Sequence, residues 1–215
     1  MGSSSYDRLL YGGMKVTVDA ALVKKLRDAC GAGIMDCKMA LAEAQGDMEE
    51  AIKILRKKGM ATADKKSSRA TNEGMVDAYI HPGAKVGVLV EVNCETDFVA
   101  RNEEFRNFVH DVAMHIAAAS PLWVNREDIP EEAKAAEMEI YAAQAKTSGK
   151  PDSVVPKIVE GKLNKWYTEV VLMEQPFVKD PDKSIDDLRR ELIAKIGENI
   201  EIRRFARFRV GDGVA

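Results

Sequence analysis

The spacing of apolar residues changes character after the first sixty positions. Leu22, Val23 and Leu26 recur at helical intervals and the run stops at Gly31. Ile34, Met35, Cys37, Lys38 and Leu41 follow and stop at Gly46. Asp47-Met48-Glu49-Glu50 then offers an acceptor side chain at an N-cap with a carboxylate three residues on, opening a helix that carries Ile52 and Leu55 to Gly59. The pattern predicts a module of three short helices over residues 14–60. Beyond it, Lys65, Lys66 and Arg69 mark a charged, loosely patterned stretch, 61–72, expected to be a linker or a mobile helix.

After Asn72 the period becomes two. Val76, Ala78 and Ile80 face one way, His81-Pro82-Gly83 supplies turn residues, and Val86, Val88, Val90 and Val92 line one face of a second strand, so a hairpin is predicted. A third strand comes near the end, where Ile200, Ile202, Ala206, Phe208 and Val210 alternate with Glu201, Arg203, Arg207 and Arg209; on this count Phe205 falls on the basic face and Phe208 on the apolar one. Helical sequence lies between. Asn102 with Glu103 and Glu104 caps a helix striped by Phe105, Phe108, Val109, Val112 and Ile116. Two further helices are predicted from Pro130 to about Lys146 and from Ser153 to Met173, and a last one opens at Ser184, carries Leu188, Leu192 and Ile196, and stops at Gly197. The fold class is therefore α+β: a small N-terminal three-helix domain, then a core over 73–212 with a three-stranded antiparallel sheet, packed helices and a helical insertion around 120–173.

Composition narrows the function. Of 215 residues, 46% are apolar, enough to bury a core, and the formal charge of −3 gives no reason to expect nucleic acid as the main partner. Cys30, Cys37 and Cys94 include no C-x-x-C pair, which disfavours a disulfide scaffold and a zinc site and suits a reducing cytoplasm. No apolar run approaches the roughly 18 to 20 residues that cross a bilayer, so no membrane partner is expected. Residues 1–13 are rich in Gly and Ser ahead of Met14 and are read as an appended leader outside the fold.

Catalytic constellations are missing from the sequence. His110 and His115 stand about 140° apart around a helix, and no H-E-x-x-H spacing occurs, so no metal site is predicted. Gly31-Ala32-Gly33 lacks the strand, third glycine or Gly-Lys-Ser/Thr that would complete a phosphate loop. Cys94, without a placed base, reads as a buried, inert thiol. Thr96-Asp97-Phe98-Val99 stands out because it sets a carboxylate and a large aromatic side by side where polar turn residues belong. From periodicity alone, Phe98 packs beneath the following helix, seven residues before Phe105.

Two stretches carry a resemblance. Gly31-Ala32-Gly33-Ile34-Met35-Asp36-Cys37-Lys38 with Ala40-Leu41, and Asn93-Cys94-Glu95-Thr96-Asp97-Phe98-Val99-Ala100, closely resemble the signature regions of elongation factor Ts. The likeness continues through Gln175-Pro176-Phe177 and Ile196-Gly197-Glu198-Asn199-Ile200 into the arginine-rich last strand, spanning 14–211 in the family's order. It implies a ubiquitin-associated-like domain over 14–60 that docks on the GTPase elongation factor Tu, and guanine-nucleotide exchange without covalent chemistry or cofactor. It further implies that Thr96, Asp97, Phe98 and Val99 form an exposed turn that intrudes beside the partner's magnesium site, reversing the expectation from periodicity. Met35, Lys38, Ile196 and Gly197 fall on the family's other docking positions. The chain departs in length: there is room, about 131–173, for only a reduced form of the insertion that longer members use in dimer contacts, so whether one chain suffices or a homodimer is needed stays open. The alternative is a ribosome- or nucleic-acid-binding module built on Arg203, Arg204, Arg207 and Arg209 with Phe205 and Phe208 interleaved.

Overall fold

The computed structural model describes residues 6–11, 14–149 and 151–213. The chain divides into two compact units, Met1–Ala70 with Arg190–Ile200, and Thr71–Arg189 with Glu201–Ala215.

In the first unit, strand β1 (Tyr6–Tyr11) pairs antiparallel with β2 (Met14–Asp19). β1 thus falls within the segment expected to stand outside the fold; residues 1–5, 12 and 13 of that segment lie outside the described residues. Three helices follow, α1 (Ala20–Cys30), α2 (Ile34–Glu43) and α3 (Met48–Lys66). Asp19 accepts the N–H of Ala21 at the start of α1, and Gly31, at φ 68°, closes it in the left-handed conformation. Asp47 accepts the N–H of Glu50 at 2.9 Å and opens α3 as its sequence predicts. Val23, Leu26, Cys37, Leu41 and Ala51 form the apolar centre.

α3 does not stop at Gly59 but runs through it to Lys66, taking in half of the stretch expected to be a linker or a mobile helix. A glycine inside a helix costs about 1 kcal/mol relative to alanine, and here it admits a close neighbour: a Cβ at Gly59 would lie 3.3 Å from that of Ala194. Ala194 belongs to the last helix, α8 (Ile185–Ile196), whose second half is part of this unit. Arg190 fixes the same packing through a 2.7 Å ion pair with Asp64 of α3.

The second unit is built on a three-stranded antiparallel sheet in the order β3 (Glu73–Ile80), β4 (Val86–Cys94), β7 (Ile200–Arg209). The β3–β4 hairpin turns at His81-Pro82-Gly83 and pairs Ala78 with Leu89 and Ile80 with Gly87. A one-turn helix, α4 (Asp97–Ala100), and the long α5 (Glu103–Ala119) follow, with Asn102 accepting the N–H groups of Glu104 and Phe105. α5 packs on β3 and β4, and Phe105, Val109, Val112 and Ile116 bury against Val88, Val90 and Val92.

α6 (Glu131–Thr147) and α7 (Val155–Val170) form the helical insertion, closed by Val155, Val159, Leu163 and Tyr167. Trp123 meets Trp166 edge-on at 5.9 Å, and Arg126 lies 4.2 Å over the Tyr167 ring while pairing with Glu174. A small hairpin, β5 (Pro176–Phe177) with β6 (Asp180–Ser184), leads into α8, where Ser184 and Asp187 cap each other's backbone N–H groups.

The last strand corrects the sequence expectation. Ile200 and Ile202 face the core, but Arg203 and Arg204 are both exposed and the alternation shifts by one residue. Phe205 and Arg207 turn inward, while Phe208 is 70% exposed. The shifted phase lets Arg204 reach Glu91 across the sheet at 2.6 Å and Arg207 donate to the Ala117 carbonyl at the C-terminal end of α5. Simple alternation cannot register such a shift.

Candidate functional site

β4 ends at Cys94, whose buried thiol donates to the Thr96 carbonyl at 3.2 Å. Thr96 is extended, at φ −131° and ψ 155°, and its hydroxyl accepts the N–H of Val99 at 3.5 Å, so it acts as the N-cap of α4. The chain leaves that turn through the N–H of Asn102 bonded to the Val99 carbonyl at 2.9 Å.

This single turn sorts its side chains by direction, because successive residues on a helix point about 100° apart. Val99 is buried at 8% exposure and anchors the turn, whereas Phe98 stands 81% exposed. A phenylalanine packed beneath α5 would be shielded; this one is not, so periodicity misjudged it. Asp97, on the outer side, accepts a 2.8 Å bond from Arg101 four residues on. That i,i+4 spacing was legible in the sequence once a helical turn was assumed there.

The other expected docking residues belong to the first unit. Met35 and Lys38 stand three apart on α2, Met35 at 57% exposure and Lys38 half-buried, with Cys37 between them turned into the core. Burial, and then the neighbouring Cys30 thiol, push the Cys37 thiol up to about 11, so it stays protonated at neutral pH. Ile196 ends α8, and Gly197, at φ 88°, closes that helix with its N–H on the Ile193 carbonyl at 2.9 Å. The Lys195 side chain passes over Gly31, where a Cβ would lie 3.0 Å from its Cε. The α1–α2 turn and the end of α8 thus touch within one unit.

Among the described residues no group of three or more His, Cys, Asp or Glu is placed to hold a metal ion, and no helix is long and apolar enough to cross a membrane. His115 is instead structural. Its Nδ1 accepts the Val178 N–H at 3.3 Å and its Nε2 donates to Gln175 Oε1 at 2.9 Å. Burial holds its pKa below the usual histidine value, against the opposing effect of the Gln175 bond.

The family model described as "Elongation factor TS" matches residues 16–189. The chain belongs to the elongation factor Ts family. It is 60% identical over 199 residues to the elongation factor Ts of Geotalea daltonii, covering 93% of this chain and 92% of that protein. The corresponding protein of Geobacter sulfurreducens is 57% identical over 93% of this chain and 92% of its own length, and that of Carboxydothermus hydrogenoformans 59% over 92% and 91%. Membership in the elongation factor Ts family makes this a translation elongation factor with the family's role in protein biosynthesis, guanine-nucleotide exchange on elongation factor Tu.

Proposed function

We propose that this chain promotes GDP release from elongation factor Tu in the cytoplasm by disturbing the GTPase's magnesium and phosphate site with the turn Thr96–Val99. The exposure of Phe98 on a turn fastened by Thr96 and Val99 carries this reading. At 81%, Phe98 is the most exposed large apolar residue among those described, so its ring is available to a partner without any rearrangement of the turn. Entering an apolar slot in the GTPase would gain about 1.5 to 3 kcal/mol, which can favour a GTPase conformation whose magnesium-positioning groups are displaced. GDP is held largely through its phosphates and the bridging ion, so misplacing them weakens binding without touching the base. The coupling is reciprocal: a factor that loosens nucleotide is itself released when nucleotide rebinds. Met35, Lys38, Ile196 and Gly197 supply the remaining docking contacts.

Chelation of magnesium tests this mechanism. The factor should accelerate GDP release strongly with the ion present and much less once EDTA has removed it, because both act on the same ligand. Undiminished acceleration in EDTA would mean that the turn works elsewhere on the nucleotide site.

A homodimer is a second part of the reading, favoured by the open face of the sheet. Val76 and Ile80 of β3, Leu89 of β4 and Phe208 of β7 are all exposed large apolar residues. In the hairpin register Val76, Ala78 and Ile80 stand opposite Glu91, Leu89 and Gly87, so Val76, Ile80 and Leu89 share the face opposite the buried Val88, Val90 and Val92. Such a patch suits a second copy of the same face. The nucleic-acid alternative is less well supported: Arg204 is paired with Glu91, Arg207 with Asp212 and the Ala117 carbonyl, and Arg203 lies 3.9 Å from Glu201.

A further inference from the structure

α3 ends at Lys66, and the last carbonyls of any helix lack partners within it. The C-cap Ser67 and the segment just beyond the helix are held by a donor 130 residues further on. Asn199, 4% exposed, donates its side-chain amide to the Ser67 carbonyl at 3.3 Å and the Arg69 carbonyl at 2.9 Å. The reverse contact comes from α3: the Lys66 ammonium donates to the Gly197 carbonyl. Each segment thus holds the other's backbone through one side chain, and all of these residues lie in the first unit.

The Lys66 contact falls on a carbonyl whose direction matters. Gly197 sits at φ 88°, a conformation that side-chain-bearing residues rarely adopt, and its carbonyl orientation fixes how the chain leaves Ile196. A Cβ there would meet nothing closer than the Lys66 Nζ at 3.6 Å, so the turn is held by the Gly197 N–H on the Ile193 carbonyl and by the ammonium on the Gly197 carbonyl, with no crowding to assist them. The packing of Gly59 on Ala194 and the Arg190–Asp64 pair already align the two helices. The Gly197 N–H closes the turn, and what Lys66 holds is the direction of the Gly197 carbonyl.

We propose that Lys66 is a positioning residue for nucleotide exchange: by holding the Gly197 carbonyl, with Asn199 as the reciprocal clamp, it sets the presentation of Ile196 and Gly197 to the GTPase. The inference rests on the reading that this pair docks on elongation factor Tu. It separates Lys66 from a simple surface cation, because the ammonium works within its own chain and its effect passes through Ile196.

The test measures fluorescent GDP release from elongation factor Tu over a range of factor concentrations, which resolves the saturating rate from the half-saturating concentration. Lys66→Met keeps the aliphatic stem and removes the donor. It should raise the half-saturating concentration about tenfold with little change in the saturating rate, because docking is affected and the Phe98 turn is not. Lys66→Arg, which restores a donor, should recover most of the loss. On an Ile196→Ala background the Lys66→Met change should add nothing, the signature of two residues acting as one. Parent-like behaviour of Lys66→Met would overturn the proposal, as would full additivity with Ile196→Ala. A loss that fades as salt is raised would overturn it too, marking a direct ionic contact with the GTPase. If Ile196→Ala is itself parent-like, the docking reading of the pair fails and the proposal with it; failure of the proposal alone leaves Ile196→Ala impaired.

Discussion

Phe98 and Val99 are neighbours in the chain and stand at opposite extremes of exposure, 81% and 8%. One capped helical turn produces the difference, and it separates the stability of the turn from its recognition surface. Val99→Ala removes buried methyl groups and should lower the free energy of unfolding by about 2 kcal/mol. Phe98→Ala should change it by less than about 0.5 kcal/mol. Urea denaturation of the two variants reads both values.

The exposed sheet face makes a prediction about assembly. Phe208→Glu places a charge on the sheet without entering the core, since Phe208 is exposed in the single chain. Sedimentation should show the parent associating and the variant shifted to monomer, with unfolding temperature at low concentration little changed. A parent that remains monomeric at high concentration would remove the dimer from the account.

His115 predicts a pH dependence whose sign follows from its environment. Burial lowers its folded pKa, and protonation would oblige Nδ1 to surrender the Val178 N–H. The neutral ring favours folding, so this contribution is complete above the unfolded value of about 6.5 and is lost as pH falls from there toward the folded pKa. A histidine NMR titration should show the His115 ring titrating below that value, and unfolding free energy should decline across the same window.

The thiols predict a reactivity ranking. Cys30 is exposed, whereas Cys37 and Cys94 are buried, with the Cys37 thiol raised to about 11. An aromatic disulfide reagent at pH 8 should label Cys30 rapidly and the other two only on unfolding. Rapid labelling of Cys37 would show that the α2 face between Met35 and Lys38 opens more readily than its packing implies.

The helices and strands were legible because their signals are local. Asp47, Asn102 and Ser184 announce their helices by chemistry within four residues, and Gly31 and Gly197 end theirs. Three features were not legible, each for a physical reason. α3 continues past Gly59, where the missing side chain admits Ala194 from far along the chain, a neighbour that no local signal announces. The phase of β7 shifts after Arg203, where pairing with Glu91 and the end of α5 overrides alternation. Periodicity buried Phe98 because it cannot see that the helical turn at Asp97 is separate from α5. The resemblance supplied the exposed turn; no nearby residue signalled Lys66 or Asn199, whose partners lie 130 or more positions away.

Whether Phe98 acts on the GTPase is tested most directly by the release of fluorescent GDP from elongation factor Tu. At saturating factor, the parent should accelerate release strongly, and Phe98→Ala, equally stable, should retain a small part of that acceleration. Equal acceleration by parent and variant would contradict the role given to Phe98 and leave exchange to the docking contacts of the first unit.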